Sequence, residues 1–87
     1  MGRQSVAVVG DIHNCPIHGV NTIAAGGVRP VDGKPIARLG DPCDCGGVIM
    51  EGSPRMKDQG NPVAYHGAKT SCGGTIEVTQ ARMKVPT

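Results

Sequence analysis

The sequence predicts an all-β fold built by rotating one small unit, and three observations carry that prediction. The first is a repeat: GKPIARLGDPCDCGGVI (residues 33–49) returns 27 positions later as GNPVAYHGAKTSCGGTI (residues 60–76). Eight of the seventeen positions are identical: Gly33/Gly60, Pro35/Pro62, Ala37/Ala64, Gly40/Gly67, Cys45/Cys72, Gly46/Gly73, Gly47/Gly74 and Ile49/Ile76. Self-similarity at a fixed period marks one supersecondary unit used several times. The second is a partial third copy, residues 6–15, which lies over residues 36–45 with Ala7 on Ala37, Gly10 on Gly40, Asp11 on Asp41 and Cys15 on Cys45. Four residues inserted after Cys15 and one deleted before Gly33 stretch its spacing from 27 to 30. The third is punctuation: 14 glycines and 7 prolines separate short β-prone runs, and no stretch sustains a helical apolar period. Together these imply pseudo-threefold symmetry within one short chain.

Taken in order, residues 5–9 form a β-prone run that ends at Gly10-Asp11, read as a turn after a strand. Residues 20–25 are a second apolar stretch, closed by Gly26-Gly27. Residues 28–31 predict a short strand that Pro30 confines to an edge. Asp32-Gly33 is a hairpin-turn signal, followed by a strand over 35–39 that ends at Gly40-Asp41-Pro42. Residues 48–51 predict another short strand before Gly52-Ser53-Pro54. Gln59-Gly60-Asn61 repeats the turn and residues 63–66 repeat the strand. Residues 75–78 form the last strand, and the polar segment 79–87 is a tail, either mobile or extending that strand.

The chain of 87 residues is expected to be a single domain, 1–87, close to the size where a core is hard to build. Tyr65 is the one aromatic residue, so the core must come from Val, Ile and Ala. Such scaffolds usually need a disulfide, a metal or a partner as a staple. The net charge of +2 is spread along the chain without a basic patch or stacking aromatics, which argues against nucleic acid as a partner. Residues 6–9 are too short for a signal-peptide core or a membrane span, and Val6 breaks the myristoylation pattern. Synthesis in the cytosol without a signal peptide is therefore expected. Thiols stay reduced there, so four cysteines and three histidines read as metal ligands rather than disulfides.

The strongest local constellation is His13-Asn14-Cys15-Pro16-Ile17-His18, where His13, Cys15 and His18 share one turn-rich loop. Tetrahedral zinc takes Cys and His from such short spacings and draws its remaining ligands from elsewhere in the chain. The later pairs are Cys43-x-Cys45 and His66 with Cys72. Rotation would bring Cys15, Cys45 and Cys72 together, while His13 aligns with Cys43 and Thr70, and His66 with Leu39. These residues leave the choice of four open. No Ser/His/Asp arrangement, phosphate-cradling loop or paired-acid motif is present, so catalysis is not expected.

Two further segments carry a family resemblance. Asp32-Gly33-Lys34-Pro35-Ile36-Ala37-Arg38-Leu39-Gly40-Asp41 resembles the NGKPAARxGD signature of PAAR-repeat proteins. Gly10-Asp11-Ile12-His13-Asn14-Cys15-Pro16-Ile17-His18-Gly19 resembles their GDxHxCPxHG segment, and Gly52-Ser53-Pro54 and Lys69-Thr70-Ser71-Cys72-Gly73-Gly74 match further elements. The resemblance covers roughly residues 5–78. The second signature departs as Pro62-Val63-Ala64-Tyr65, Ala68 replaces the usual Asp, and Ala25-Gly26-Gly27 replaces Gly-Ser-Pro.

The resemblance implies a small conical β-structure with one structural Zn2+ near its vertex. It implies a non-enzymatic tip on the trimeric VgrG spike of the bacterial type VI secretion system, bound through a wide base. Such a tip would be a monomer on its own, carry effector proteins, leave the cell by secretion and touch the target-cell envelope transiently. The family's usual three histidines and one cysteine would select His13, His18, His66 and Cys72, with Cys15 and Cys45 as alternates. A zinc-ribbon-like module binding protein or nucleic acid is the competing reading, but it needs Cys-x2-Cys knuckles and a basic face that the sequence lacks.

Overall fold

A computed structural model of the chain describes residues 3–28, 30–31, 33–79 and 84–86. Its strands are β1 (Arg3–Ser5), β2 (Ile12–Cys15), β3 (Gly19–Thr22), β4 (Pro30–Val31), β5 (Lys34–Pro35), β6 (Lys57–Asp58), β7 (Asn61–Pro62), β8 (Thr75–Glu77) and β9 (Lys84–Pro86). No helix occurs among the described residues, so none there is long and apolar enough to cross a membrane. The principal extents are 30 × 27 × 24 Å.

The pseudo-threefold axis is written in backbone hydrogen bonds. Ala7 N donates to Ala64 O (3.0 Å), Ala64 N to Ala37 O (2.9 Å) and Ala37 N to Ala7 O (2.9 Å), closing a ring. A second ring runs outside it: Val9 N to Pro35 O, Leu39 N to Pro62 O and His66 N to Ser5 O, at 2.8–2.9 Å. Each repeat therefore shares its hydrogen bonds between two neighbours, through the single bridges Val6↔Tyr65, Val8↔Ile36 and Arg38↔Val63. That is why the expected strands 5–9, 35–39 and 63–66 become bridges rather than ladders. A segment turning from one partner to the next cannot extend a register with either.

Packing follows the same symmetry. Ala7, Ala37 and Ala64 are fully buried and share a cluster with Ile23, Ile49 and Ile76. Val6, Ile36 and Val63 form a second cluster together with Val85. Three segments meeting around one axis leave room there for only a methyl group, which explains alanine in every copy. Gly10, Gly40 and Gly67 adopt φ of +95°, +92° and +90°, and each donates its amide to the isoleucine of its own copy. Glycine is favoured at such a turn because a Cβ is strained at positive φ.

Three two-stranded arms complete the copies. β4 pairs with β5 and β6 with β7, each antiparallel, the latter through a two-residue turn. Gln59 (φ 53°) and Gly60 (φ 85°) are both left-handed, as a type I′ hairpin requires. β9 pairs with β1 in the equivalent register: Ser5↔Lys84 corresponds to Pro35↔Pro30 and Pro62↔Lys57. The segment expected as a mobile tail or an extension of the last strand thus supplies the third arm, and Val85 is buried in it. Residues 80–83 and 87 of that segment lie outside the described residues.

At the other end of each copy, a turn returns the chain after the cysteine. In the second and third copies it is tight: Cys43 N donates to Gly47 O (2.7 Å) and Thr70 N to Gly74 O (3.0 Å). In the first copy the four inserted residues open this turn into the β2–β3 hairpin, with His13 opposite Asn21. β2 also pairs with β8 in the order β3-β2-β8.

Candidate metal centre

Extended backbone alternates its side chains, and in β2 this buries His13 and Cys15 while Ile12 and Asn14 stay partly exposed. The turn after each tight copy aims Cys45 and Cys72 at the same point. The ligand atoms of His13, Cys15, Cys45 and Cys72 all lie within 4.8 Å of one another. Cys72 Sγ is 3.4 Å from His13 Nε2, Cys45 Sγ is 3.6 Å from His13 Nδ1, and Cys15 Sγ is 3.0 Å from Cys72 Sγ.

The residues present fit a tetrahedral ion. With metal–sulfur bonds of about 2.3 Å and metal–nitrogen bonds of about 2.0–2.1 Å, ligand atoms would stand roughly 3.5–3.8 Å apart; Cys72 Sγ and His13 Nε2 at 3.4 Å are close to this, while the Cys15 and Cys72 sulfurs at 3.0 Å would part to admit an ion. His13 is fully buried and its ring is oriented from behind. Asn21 Nδ2 donates to Gly19 O (3.0 Å), which turns Asn21 Oδ1 toward His13 Nδ1 at 3.1 Å. A carbonyl oxygen there holds the proton on Nδ1 and frees the Nε2 lone pair, the usual arrangement behind a ligating imidazole. Thr70 Oγ1 stands 2.7 Å from Nε2 and 3.3 Å from Cys72 Sγ, and accepts from Gly74 N at 3.2 Å.

The thiols differ sharply. Cys72 is lowered to about 6, first by the Cys15 thiol that donates to it and then by the Thr70 hydroxyl. Cys15 is raised, chiefly by desolvation and then by that same pairing, against the His18 amide that donates to it. Burial pushes Cys43 up to about 12. Two neighbouring thiols thus share one negative charge, a cost that a bound cation removes by favouring both thiolates.

Of the four residues selected by the family pattern, the cluster contains His13 and Cys72, and it is completed by the alternates Cys15 and Cys45. His18 lies outside it on the exposed insert, with Nδ1 3.5 Å from Cys15 Sγ. His66 occupies the row of Val9 and Leu39 rather than a cysteine-bearing turn, and its Nδ1 accepts from Val78 N (3.0 Å). The cluster thus takes in the whole threefold row of cysteines, Cys15, Cys45 and Cys72, together with His13. Asn21 and Thr70 were not anticipated as partners of His13. For Thr70 a signal existed, because it occupies the repeat position of His13 and Cys43.

An all-β, pseudo-threefold repeat with a His/Cys cluster at the turns of its copies defines a small repeat protein equipped to hold a metal ion. The profile of the PAAR motif matches residues 1–51 and again residues 32–78, and the chain belongs to that family. The overlap of the two matches is the middle copy, read once as the second unit and once as the first. A comparison with curated proteins finds no match. The family is structural rather than enzymatic and is associated with the spike tip of type VI secretion.

Proposed function

We propose that this protein is the non-enzymatic tip of a type VI secretion spike, capping a trimeric VgrG protein and stiffened by one Zn2+ held by His13, Cys15, Cys45 and Cys72. The observation that carries the reading is the set of three equivalent arms, β1–β9, β4–β5 and β6–β7, arranged about one pseudo-threefold axis. A trimer has three equivalent strand ends, and short arms with open edges can receive them by strand addition. One chain then satisfies three subunits without forming an oligomer of its own.

The ion answers a separate need. A pointed end contains few residues, and this chain has little large apolar surface to bury there. An ion joining turns from all three copies fixes them together, and its binding energy becomes folding energy. Three thiolates and an imidazole suit zinc, and four protein ligands close the site to substrate. On this reading the chain is made in the bacterial cytoplasm and is delivered outward with the spike. Effector proteins would travel on it, and its contact with the target envelope would be transient.

Elemental analysis of protein purified from reducing buffer should find one zinc per chain, and its absence would defeat the metal assignment. Mixed with its cognate trimeric spike, the chain should co-elute at one copy per trimer. Separate elution would defeat the partner assignment.

A further inference from the structure

We propose that the metal centre is redox-labile, and that two-electron oxidation joins Cys15 to Cys72 as a disulfide and discharges the ion. This rests on the metal reading above. Cys15 Sγ and Cys72 Sγ are 3.0 Å apart, and the Cys15 thiol points at the Cys72 sulfur. A disulfide bond is about 2.05 Å long, so closure requires the two sulfurs to approach by about 1 Å. The backbones that carry them are already neighbours, because β2 and β8 pair at Asn14↔Thr75. Cys72 lies in the turn leading into β8, and Cys15 ends β2.

An oxidant can reach the pair. Cys15 borders an open surface depression with Pro16, Val20, Gly73 and Thr75, and Cys72 is only partly buried. Cys43 is buried and lies outside the cluster, so it does not compete.

Hydrogen peroxide serves as the oxidant class, and the electrons balance. One thiolate attacks a peroxide oxygen, the O–O bond breaks, and a sulfenic acid and one hydroxide result. The second thiolate then attacks the sulfenic sulfur, forming the S–S bond and expelling a second hydroxide. Two thiolates are oxidised by two electrons, one peroxide is reduced, and the ion keeps its charge. It loses two of four ligands, and His13 with Cys45 cannot provide a closed structural site. The ion and the disulfide therefore exclude each other. A centre loaded in reducing cytosol would be stripped in an oxidising compartment.

The test treats the zinc-loaded full chain with hydrogen peroxide beside a chromophoric zinc chelator. Zinc release should track the loss of two thiols, and non-reducing peptide mapping should find Cys15 joined to Cys72. A thiol reductant followed by zinc should restore the loaded state. Retention of zinc through excess peroxide would overturn the inference, as would a disulfide mapped to Cys45 or oxidation stopping at sulfinic acid. In metal-free chain, Cys72→Ser should abolish this disulfide, whereas Cys43→Ser, outside the cluster, should leave its yield largely unchanged. A wild-type chain that never binds zinc would instead defeat the metal reading, and the mapping in metal-free chain would still report on the pair.

Discussion

The ring of Ala7, Ala37 and Ala64 and the ring of His13, Cys43 and Thr70 occupy equivalent positions in the same three copies, yet they follow opposite rules. The alanine ring is identical in residue, burial and hydrogen bonding. The other ring is buried in all three copies but contains an imidazole, a thiol and a hydroxyl, of which only the imidazole belongs to the metal group. Symmetry is kept where three backbones must close on each other. It is broken at the candidate metal centre, where each copy offers one thiol but the first copy alone offers an imidazole.

The largest test of this contrast is removal of the ion. Structural zinc sites contribute apparent binding energies of roughly 10–16 kcal/mol in small peptides, and this core lacks aromatic mass to compensate. Chelation should lower the melting temperature strongly in circular dichroism, and His13→Ala should do the same without a chelator. An unchanged melting temperature on chelation would mean that the alanine and isoleucine rings hold the fold alone.

A second test applies one substitution at two equivalent positions. A Cβ on Gly74 would stand 2.8 Å from His13 Nε2 and press directly on the Asn14 carbonyl. On Gly47 it would meet Cys72 Sγ at 3.3 Å, Cys45 Sγ at 3.5 Å and Ser71 Oγ at 3.6 Å, all side-chain atoms. Gly74→Ala should cost at least the roughly 1–3 kcal/mol of an overpacked core and weaken zinc binding. Gly47→Ala should cost less than about 1 kcal/mol. Equal losses in chemical denaturation would show that the two turns are interchangeable and that the first-copy hairpin does not set them apart.

A smaller effect belongs to the turns. Asp41 accepts the Arg38 amide at 2.8 Å and pairs with its guanidinium at 3.3 Å, while in the third copy Ala68 holds the equivalent place. Asp41→Ala should cost about 1.5–3 kcal/mol if the charged acceptor matters. The Asp41 carboxylate is buried and the Arg38 guanidinium partly so, so the ion pair adds to that cost more than the ~0–1 kcal/mol of a solvent-exposed pair. Asp41→Asn removes the charge and keeps an acceptor, so its stability in urea separates the two contributions.

The repeat made the symmetric half of this molecule legible. Aligning Ala7, Ala37 and Ala64 was enough to anticipate an axis, and aligning Cys15, Cys45 and Cys72 was enough to anticipate their convergence. The ladder lengths were not legible, because alternation in residues 5–9 does not reveal that Val6 and Val8 bridge different neighbours. The role of β9 was hidden for a related reason: a three-residue arm has no periodicity, and its place is set by Val85 joining Val6, Ile36 and Val63. The His66 position could have been anticipated from its row. Val9 and Leu39 are framework residues, and the alignment placed His66 with them.

The smallest effect separates the thiols themselves. In metal-free chain Cys72 sits at about 6, well below its ordinary value of 9.0, because the Cys15 thiol and the Thr70 hydroxyl donate to it. A folded value below the unfolded one means that the folded state holds fewer protons between the two. The stability from ionised Cys72 is therefore fully present above pH 9, declines as the pH falls, and is gone below about 6. Iodoacetamide labelling of Cys72 in metal-free chain should rise through pH 6, while Cys43, pushed up to about 12, stays inert until far higher pH. Thr70→Val removes one donor and should move the Cys72 midpoint upward. If the midpoint does not move, Thr70 spends its hydroxyl proton on His13, and the unequal ring orders the imidazole rather than the thiolate.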